Sequence, residues 1–97
     1  MNFEWDEQKN AANIHKHGFD FTDAWEMFES PMLTAPDTRE DYGEERWVGI
    51  GFLRERAVVT VFTEPSDDVI RVISMRKALK HERIRLEETI RDQLDAR

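Results

Sequence analysis

The fold is decided by three consecutive runs rich in β-branched and aromatic residues, RWVGIGF at residues 46–52, AVVTVFT at 57–63 and VIRVISM at 69–75. Such residues favour β-strands, because their branched or flat side chains pack well on a pleated surface. Turn-forming residues separate the runs, RER at 54–56 and PSDD at 65–68. Connections this short join antiparallel neighbours, so the sequence predicts an antiparallel meander of three strands.

A helix is predicted ahead of this region, from about Asp6 to His17. The Asp6 carboxylate can accept hydrogen bonds from free backbone N–H groups of the first turn, and Gly18 stands where a left-handed residue commonly closes a helix. At about 100° per residue the side chains form two arcs. One arc holds Ala11, Ala12, Ile14 and His15, and the polar arc holds Lys9, Asn13 and Lys16. We expect the polar arc to face solvent or a polar ligand.

A second helix is predicted after Asp20 or Thr22, since either side chain can cap it. Apolar residues then repeat at helical spacing, at Phe21, Ala24, Trp25 and Phe28. Pro31 ends this helix, because proline has no N–H and disfavours a helical conformation in the preceding residue. Two short segments, residues 2–5 and 32–35, are expected to add edge strands.

After residue 75 the periodicity changes from strand to helix. The apolar residues Leu79, Leu86, Ile90 and Leu94 fall within about 80° of arc, a stripe that can cover one sheet face. The predicted order is two N-terminal helices, a mostly antiparallel sheet of four to five strands and a C-terminal helix, which makes an α+β domain. Ninety-seven residues suffice for one hydrophobic core, so we expect a single domain over residues 1–97.

Composition narrows the class of protein. Hydrophobic residues make up 39% of the chain, which is typical of a globular domain. The chain has no cysteine, no signal-like segment and no long apolar run, so we expect a cytoplasmic protein that does not enter a membrane. His15 and His17 diverge on a helix and no HExxH motif occurs, so neither a metal nor a cofactor is expected.

Charge is unevenly distributed along the chain. The net charge of −7 by itself disfavours nucleic acid, because Lys and Arg supply most non-specific affinity for phosphates. Residues 20–45 hold nine acids and one arginine, whereas residues 69–86 hold six Lys or Arg and one glutamate. The second segment is either a solvated charged helix or a local patch that binds a polyanion while the remainder repels it.

A long pattern opens the chain, F-x-W-D-x-x-K-x-x-x-N-x-x-K-H-G-x-x-F-x-x-A from Phe3 to Ala24. Further along, the pair ER at 45–46, the run RVISMR at 71–76 and the pair ER at 82–83 follow in order. This arrangement resembles the BrnT family over nearly the whole chain. The resemblance implies a RelE-like domain and a bacterial toxin of a type II toxin–antitoxin pair that cuts RNA without the ribosome. It also implies a cognate ribbon-helix-helix antitoxin, similar to BrnA, that binds the toxin in a heterotetramer and provides its only link to DNA.

Cleavage of RNA without a metal requires a base for the 2′-hydroxyl, donors for the non-bridging phosphate oxygens and an acid for the 5′-oxygen. Arg and Lys supply the donors, and histidine exchanges a proton near neutral pH. The predicted catalytic residues are Lys9, His17, Arg76 and Arg83. The residues predicted to bind substrate are Asn13, Lys16, Arg46, Arg71, Lys77 and Lys80.

Several of these residues also have a purely structural interpretation. Arg83 lies in the middle of the predicted apolar stripe, where it either reaches a phosphate or pairs with a carboxylate such as Glu45. His17 can cap the carbonyl end of the first helix instead of moving a proton. Arg71 and Arg76 are an odd number of residues apart, so they lie on opposite faces of a regular strand unless a bulge or the exit into the helix unites them.

A second function is open, that of a partner-binding module with little catalytic activity, which binds a DNA-binding antitoxin and adjusts repression of its operon. Many members of the family that the chain resembles carry a tyrosine shortly after the second Glu-Arg pair, where this chain has Ile84, Arg85 and Leu86. That difference and an acidic loop, predicted from Pro36 to Gly43, favour the binding module.

Overall fold

Five strands form one mixed sheet. They are β1 (Asn2–Glu4), β2 (Leu33–Pro36), β3 (Trp47–Leu53), β4 (Arg56–Ser66) and β5 (Val69–Lys77). Their order in the sheet is β1-β5-β4-β3-β2, with β1 parallel to β5 and every other pair antiparallel. The predicted meander and both edge strands are therefore confirmed. The computed structural model describes residues 1–95, so the last two residues of the predicted domain lie outside it.

The first helix, α1, spans Glu7–His17 with the predicted ends. The Asp6 side chain accepts hydrogen bonds from the backbone N–H groups of Gln8 and Lys9. Gly18 is left-handed with φ of 77°, and its N–H donates to the carbonyl of Ile14. Both ends follow from local chemistry that the sequence displays.

The second predicted helix is divided into a 3₁₀ turn (Phe21–Asp23) and a short helix α2 (Ala24–Phe28). Asp20 caps the turn, as expected, by accepting from the N–H of Thr22. The terminal helix α3 spans Lys80–Asp95. Within residues 1–95, no helix is both long enough and apolar enough to cross a bilayer.

Helices cover both faces of the sheet. We call the face under α1 and α2 the first face and the face under α3 the second face. The first face carries a core of buried side chains, Phe19, Phe21, Ala24, Met27, Leu53, Val58, Phe62, Ile70, Val72 and Met75. The second face carries a smaller core, Ile50, Ala57, Val59, Ala78 and Leu86. Strand alternation explains the division, because neighbours such as Val58 and Val59 point to opposite faces.

The orientation of α1 is the reverse of the one its amphipathic pattern predicts. Asn10 and Asn13 are buried, whereas Ile14 is 41% exposed. Asn13 donates through Nδ2 to the carbonyl of Phe19 at 3.0 Å and accepts at Oδ1 from the N–H of Met75 at 3.1 Å. Buried backbone groups without partners are costly, so the helix turns its asparagines inward to satisfy them.

The apolar stripe of α3 is shorter than predicted. Leu86 is buried and Ile90 packs against the same core, but Leu79 is 57% and Leu94 59% exposed. The helix packs on β3 through its middle, and the stripe's two ends do not reach the sheet. Arg83 therefore does not lie in an apolar environment.

Candidate functional site

Cationic side chains from three segments line one cavity of about 570 Å³, which we call the junction groove. It lies between the turn that joins β3 to β4 and the junction of β5 with α3. Among the residues that the structure describes, its cations are Arg56, Lys77, Lys80 and Arg83, and its one acid is Glu55. Ala57, Ala78 and Leu79 complete the lining. The groove therefore presents a strongly positive wall over a small apolar floor.

These cations are only weakly engaged by other groups. Arg83 is half exposed and its Nε lies 3.6 Å from the Glu87 carboxylate, a surface pair of small energetic weight. The Arg56 guanidinium stacks over the Phe19 ring, with its Cζ 4.4 Å from the ring centre. Within residues 1–95, no ion pair engages Lys77, Lys80 or Arg56. The four side chains are available to an anion.

Arg76 lies beside the groove and has a partner of its own. Its Nη1 and Nη2 donate to Oε1 and Oε2 of Glu82 at 2.8 and 2.9 Å, a bidentate pair. Oε1 of Glu82 also accepts from the N–H of Leu79 at 2.8 Å, which is one half of a capping box for α3. Glu82 thus ties the end of β5 to the start of α3, and we call this arrangement the junction clamp.

Electrostatics of the clamp limit what it can do chemically. The hydrogen bond from Arg76 holds the pKa of Glu82 at about 2, and the same pair raises the pKa of Arg76. Glu82 is therefore a carboxylate at neutral pH and cannot donate a proton as a general acid. Because both guanidinium nitrogens of Arg76 are bonded to this carboxylate, a phosphate must displace Glu82 to bind Arg76 in the same way.

An irregularity in β5 unites two arginines on one face. Opposite β4, Arg71 pairs with Thr63 and Arg76 pairs with Val59, so the partners are four residues apart while the arginines are five apart. A register shift between them absorbs the extra residue. Both arginines consequently lie on the second face, whereas a regular strand would have separated them.

The other arginines of this face are also held by acids. Arg71 donates from Nε to Glu4 at 2.7 Å. Arg46, which precedes β3, lies 3.4 Å from Glu44 and stacks its guanidinium 4.1 Å from the centre of the Tyr42 ring. A phosphate must displace a carboxylate to bind either arginine, so the second face is a poorer anion site than the junction groove.

The predicted site residues of α1 have different environments in the structure. Lys9 and Lys16 are exposed and His17 is half-buried. None of the three lines the junction groove, although a neighbouring depression contains Gly18 and shares Arg56 with it. Asn13 uses both ends of its amide for buried backbone groups, and this geometry contradicts a substrate contact.

The sequence patterns do not identify two residues that the structure singles out, Arg56 and Asn10. Arg56 lies in the predicted hairpin loop, and its importance depends on a strand pairing that places it next to the end of β5. Val58 is opposite Lys77, so pairing the predicted runs in register provides the signal. Asn10 is buried, donates to Asp20 at 3.0 Å and accepts from the N–H of Phe21 at 2.9 Å. No sequence pattern distinguishes it from a solvated asparagine.

Within residues 1–95, no cluster of three or more His, Asp or Glu side chains is arranged to hold a metal ion. The side chains that line the junction groove supply fixed cationic donors. Such donors bind phosphate oxygens and stabilise the additional negative charge that develops when a phosphodiester is attacked.

Comparison with known proteins agrees with this chemistry. The family model described as the ribonuclease toxin BrnT of type II toxin–antitoxin systems matches residues 5–82. Among solved structures, the chain is similar to the crystal structure of the Brucella abortus ribonuclease toxin BrnT, with 33% identity and a TM-score of 0.69. That similarity covers 82% of this chain and 99% of the other. None of the curated proteins matches the chain. Since the family model spans most of the sequence, the chain belongs to the BrnT family of ribonuclease toxins of type II toxin–antitoxin systems.

Proposed function

We propose that this chain is a ribosome-independent endoribonuclease toxin that holds the RNA backbone in the junction groove and cleaves it without a metal ion. One observation carries the proposal, namely that four cationic side chains line a single groove in a chain whose net charge is −7. A concave surface of one sign concentrates a polyanion that the acidic remainder repels. Membership of the BrnT family supports the same class of reaction.

Arg83 is the donor that we assign to the non-bridging phosphate oxygens. Its guanidinium lines the groove, and the weak, exposed pair with Glu87 is easily exchanged for a phosphate. Lys77 and Lys80, the first at the end of β5 and the second at the start of α3, hold the flanking phosphates. Arg56, at the start of β4, adds a fourth cation to the lining.

We assign proton transfer to His17, whose chain neighbour Gly18 lines the depression that shares Arg56 with the groove. His17 itself lines neither cavity, so the assignment requires its imidazole to reach the RNA from beside them. A histidine can accept the proton of the 2′-hydroxyl and later supply one to the 5′-oxygen. Lys9 lies two helical turns away, about 12 Å along α1, so its contact is with a more distant part of the RNA. We assign Lys16, Arg46 and Arg71 the same peripheral role.

Arg76 receives a positioning role in place of the catalytic role that the sequence predicts. Its bidentate pair with Glu82 sets the angle at which α3 leaves β5. Lys80 and Arg83, both on α3, line the groove together with Arg56. Loss of the clamp is expected to lower activity through groove geometry.

The test uses purified protein, a labelled RNA and excess EDTA. Arg83→Ala is expected to cut about a hundred- to a thousandfold more slowly, as for loss of an oxyanion donor. Arg85→Ala is the matched control, because Arg85 is exposed on the same helix outside the groove and loses the same charge. Equal effects of the two variants would refute the groove, and activity that requires an added divalent cation would refute metal independence.

The proposal extends to the partner and to the classification of the fold. We infer a BrnA-like ribbon-helix-helix antitoxin that silences the toxin in a heterotetramer and binds the DNA itself, and a RelE-like domain. The support is family membership and the order of helices around the mixed sheet. Size measurement of the toxin mixed with the product of the neighbouring gene tests the assembly, and two separate peaks would contradict it.

A second candidate function, the partner-binding module with little activity, is favoured by one specific observation. Four of the predicted cations, Arg46, Arg71, Arg76 and Arg83, are paired with acids, the last of them at 3.6 Å on the surface. The experiment with EDTA, repeated with an added divalent cation, separates the two functions. If the wild-type protein leaves the RNA intact under both conditions, only the partner-binding module remains.

A further inference from the structure

We propose that the end of the molecule opposite the junction groove is a docking site for a basic amphipathic helix of a protein partner. The site is a cavity of about 370 Å³ on the first face of the sheet, and we call it the acidic cleft. Its floor is formed by apolar and aromatic side chains, Phe28, Met32, Trp47 and Phe62. Its rim is formed by the carboxylates Glu64, Asp67 and Asp68 around the turn between β4 and β5.

The floor is only partly covered because the helix layer ends there. Phe28 is the last residue of α2, and its ring lies edge-on to Phe62, 5.0 Å between centroids. Phe62 is buried at 4% exposure, whereas Phe28, Met32 and Trp47 are partly exposed, and beyond Phe28 no helix within residues 1–95 covers them. An amphipathic helix is the element that packs on a sheet face beside another helix.

The charge of the acidic cleft determines which kind of helix can bind there. Among the described residues 1–95, no lysine or arginine lines the acidic cleft, and only the amino group of Met1, 3.0 Å from Asp68, opposes its acids. In the same range, Glu64 and Asp67 take part in no ion pair. Trp47 also lines a second depression, whose carboxylates, among them Glu40 and Glu45, outnumber its arginine, Arg46, and continue the negative surface. The partner's helix therefore carries lysines or arginines along the edges of an apolar stripe.

Charge and distance exclude RNA as the occupant. RNA is repelled by the carboxylates of the rim, and the junction groove lies at the other end of β4, where Arg56 is about 26 Å from Glu64 at strand spacing. A second copy of the chain carries exposed cations outside its own groove, such as Lys9 and Arg85, so self-association is measured as a separate outcome below. The two ends of the molecule can be occupied together, so binding at the cleft does not depend on the proposed ribonuclease activity.

The test measures binding of a fluorescein-labelled 16-residue helix with leucines at i, i+3, i+4 and i+7 and lysines at their sides. The double variant Glu64→Lys with Asp67→Lys is expected to bind it about tenfold more weakly at low salt. The control Glu88→Lys with Asp92→Lys makes the same charge change on exposed residues of α3 and is expected to stay within about twofold. Peptides with glutamate for lysine, or serine for leucine, are expected to lose binding.

Each other outcome overturns the proposal. Equal loss in the two double variants would mean attraction to net charge alone, and binding of the glutamate peptide would mean an apolar surface without charge selection. If the wild type self-associates and the variant with both Glu64→Lys and Asp67→Lys does not, the occupant of the cleft is a second copy of the chain. Circular dichroism checks that the variants fold, and Arg83→Ala, inactive on RNA, is expected to bind the peptide unchanged.

Discussion

Glu82→Gln is the perturbation that most directly tests how the groove is held in shape. The carboxylate accepts two charge-assisted bonds from Arg76 and one from the N–H of Leu79. Glutamine keeps the size of the side chain and one acceptor oxygen. It loses the charge and the second acceptor, so it cannot reproduce the bidentate pair.

The cost follows from these contacts. Loss of a helix cap costs about 1 kcal/mol and a hydrogen bond to a charged group about 1.5–3 kcal/mol. Arg76 is 37% exposed, so water can replace part of the interaction that its guanidinium loses. Glutamine also retains one acceptor oxygen. We therefore expect a loss of about 2 kcal/mol. For a domain of this size that corresponds to a fall in Tm of about 8–16 °C.

Thermal unfolding followed by circular dichroism provides the measurement, with Glu87→Gln as the control. Glu87 pairs with Arg83 at 3.6 Å on the surface, and its loss is expected to change Tm by less than about 4 °C. Equal changes in Tm for the two variants would show that the clamp contributes nothing and refute the reasoning.

Acid provides an independent check. Because the pKa of Glu82 is lowered from 4.5 to about 2 in the folded chain, its stabilisation is complete above pH 4.5 and is lost as pH falls towards 2. Between pH 4.5 and 2, the Glu82→Gln variant is therefore expected to lose less stability than the wild type.

Three further predictions concern the first face and the groove. Asn13→Ala is expected to destabilise by about 2–4 kcal/mol in urea denaturation, because two buried backbone groups lose partners, while Lys16→Ala stays within about 0.5 kcal/mol. Gly51→Ala places a Cβ 2.5 Å from Cγ of Met32, so the methionine must shift at a cost of about 1–3 kcal/mol; an unchanged melting curve would contradict the packing. Binding of single-stranded RNA is expected to weaken with salt at a log–log slope of about −3, as for four phosphate contacts, and a slope near zero would contradict the groove.

The elements of the fold could be predicted from the sequence wherever local chemistry specifies them. The Asp6 cap, the left-handed Gly18 and the β-branched runs each act within a few residues, and each has its predicted place. The break in the second helix was not predicted. Its Phe21 and Ala24 have helical spacing, but the N–H of Ala24 donates to the carbonyl of Phe21, three residues back, so the first turn is 3₁₀.

The orientation of α1 could not be predicted, because it is decided by partners distant in sequence. Met75 is 62 positions from Asn13, and its buried N–H has to be satisfied by whichever side chain reaches it. Hydrophobic periodicity assumes that the apolar arc faces the sheet, and here two buried amides outweigh Ile14 and two alanines. The bulge in β5 is a similar case, since only the register with β4 reveals that Arg71 and Arg76 share a face.

Net charge does not predict the candidate anion site for the same reason, because the positions of the charges are decided by contacts distant in sequence. Ionic screening in cells acts over about 8 Å, and the acidic cleft lies about 26 Å from Arg56 along β4. An anion in the junction groove therefore interacts with Arg56, Lys77, Lys80 and Arg83 and very little with the carboxylates at the other end. Whether an acidic chain can bind RNA depends on how its fold separates the two signs of charge, and this fold separates them along the length of one strand.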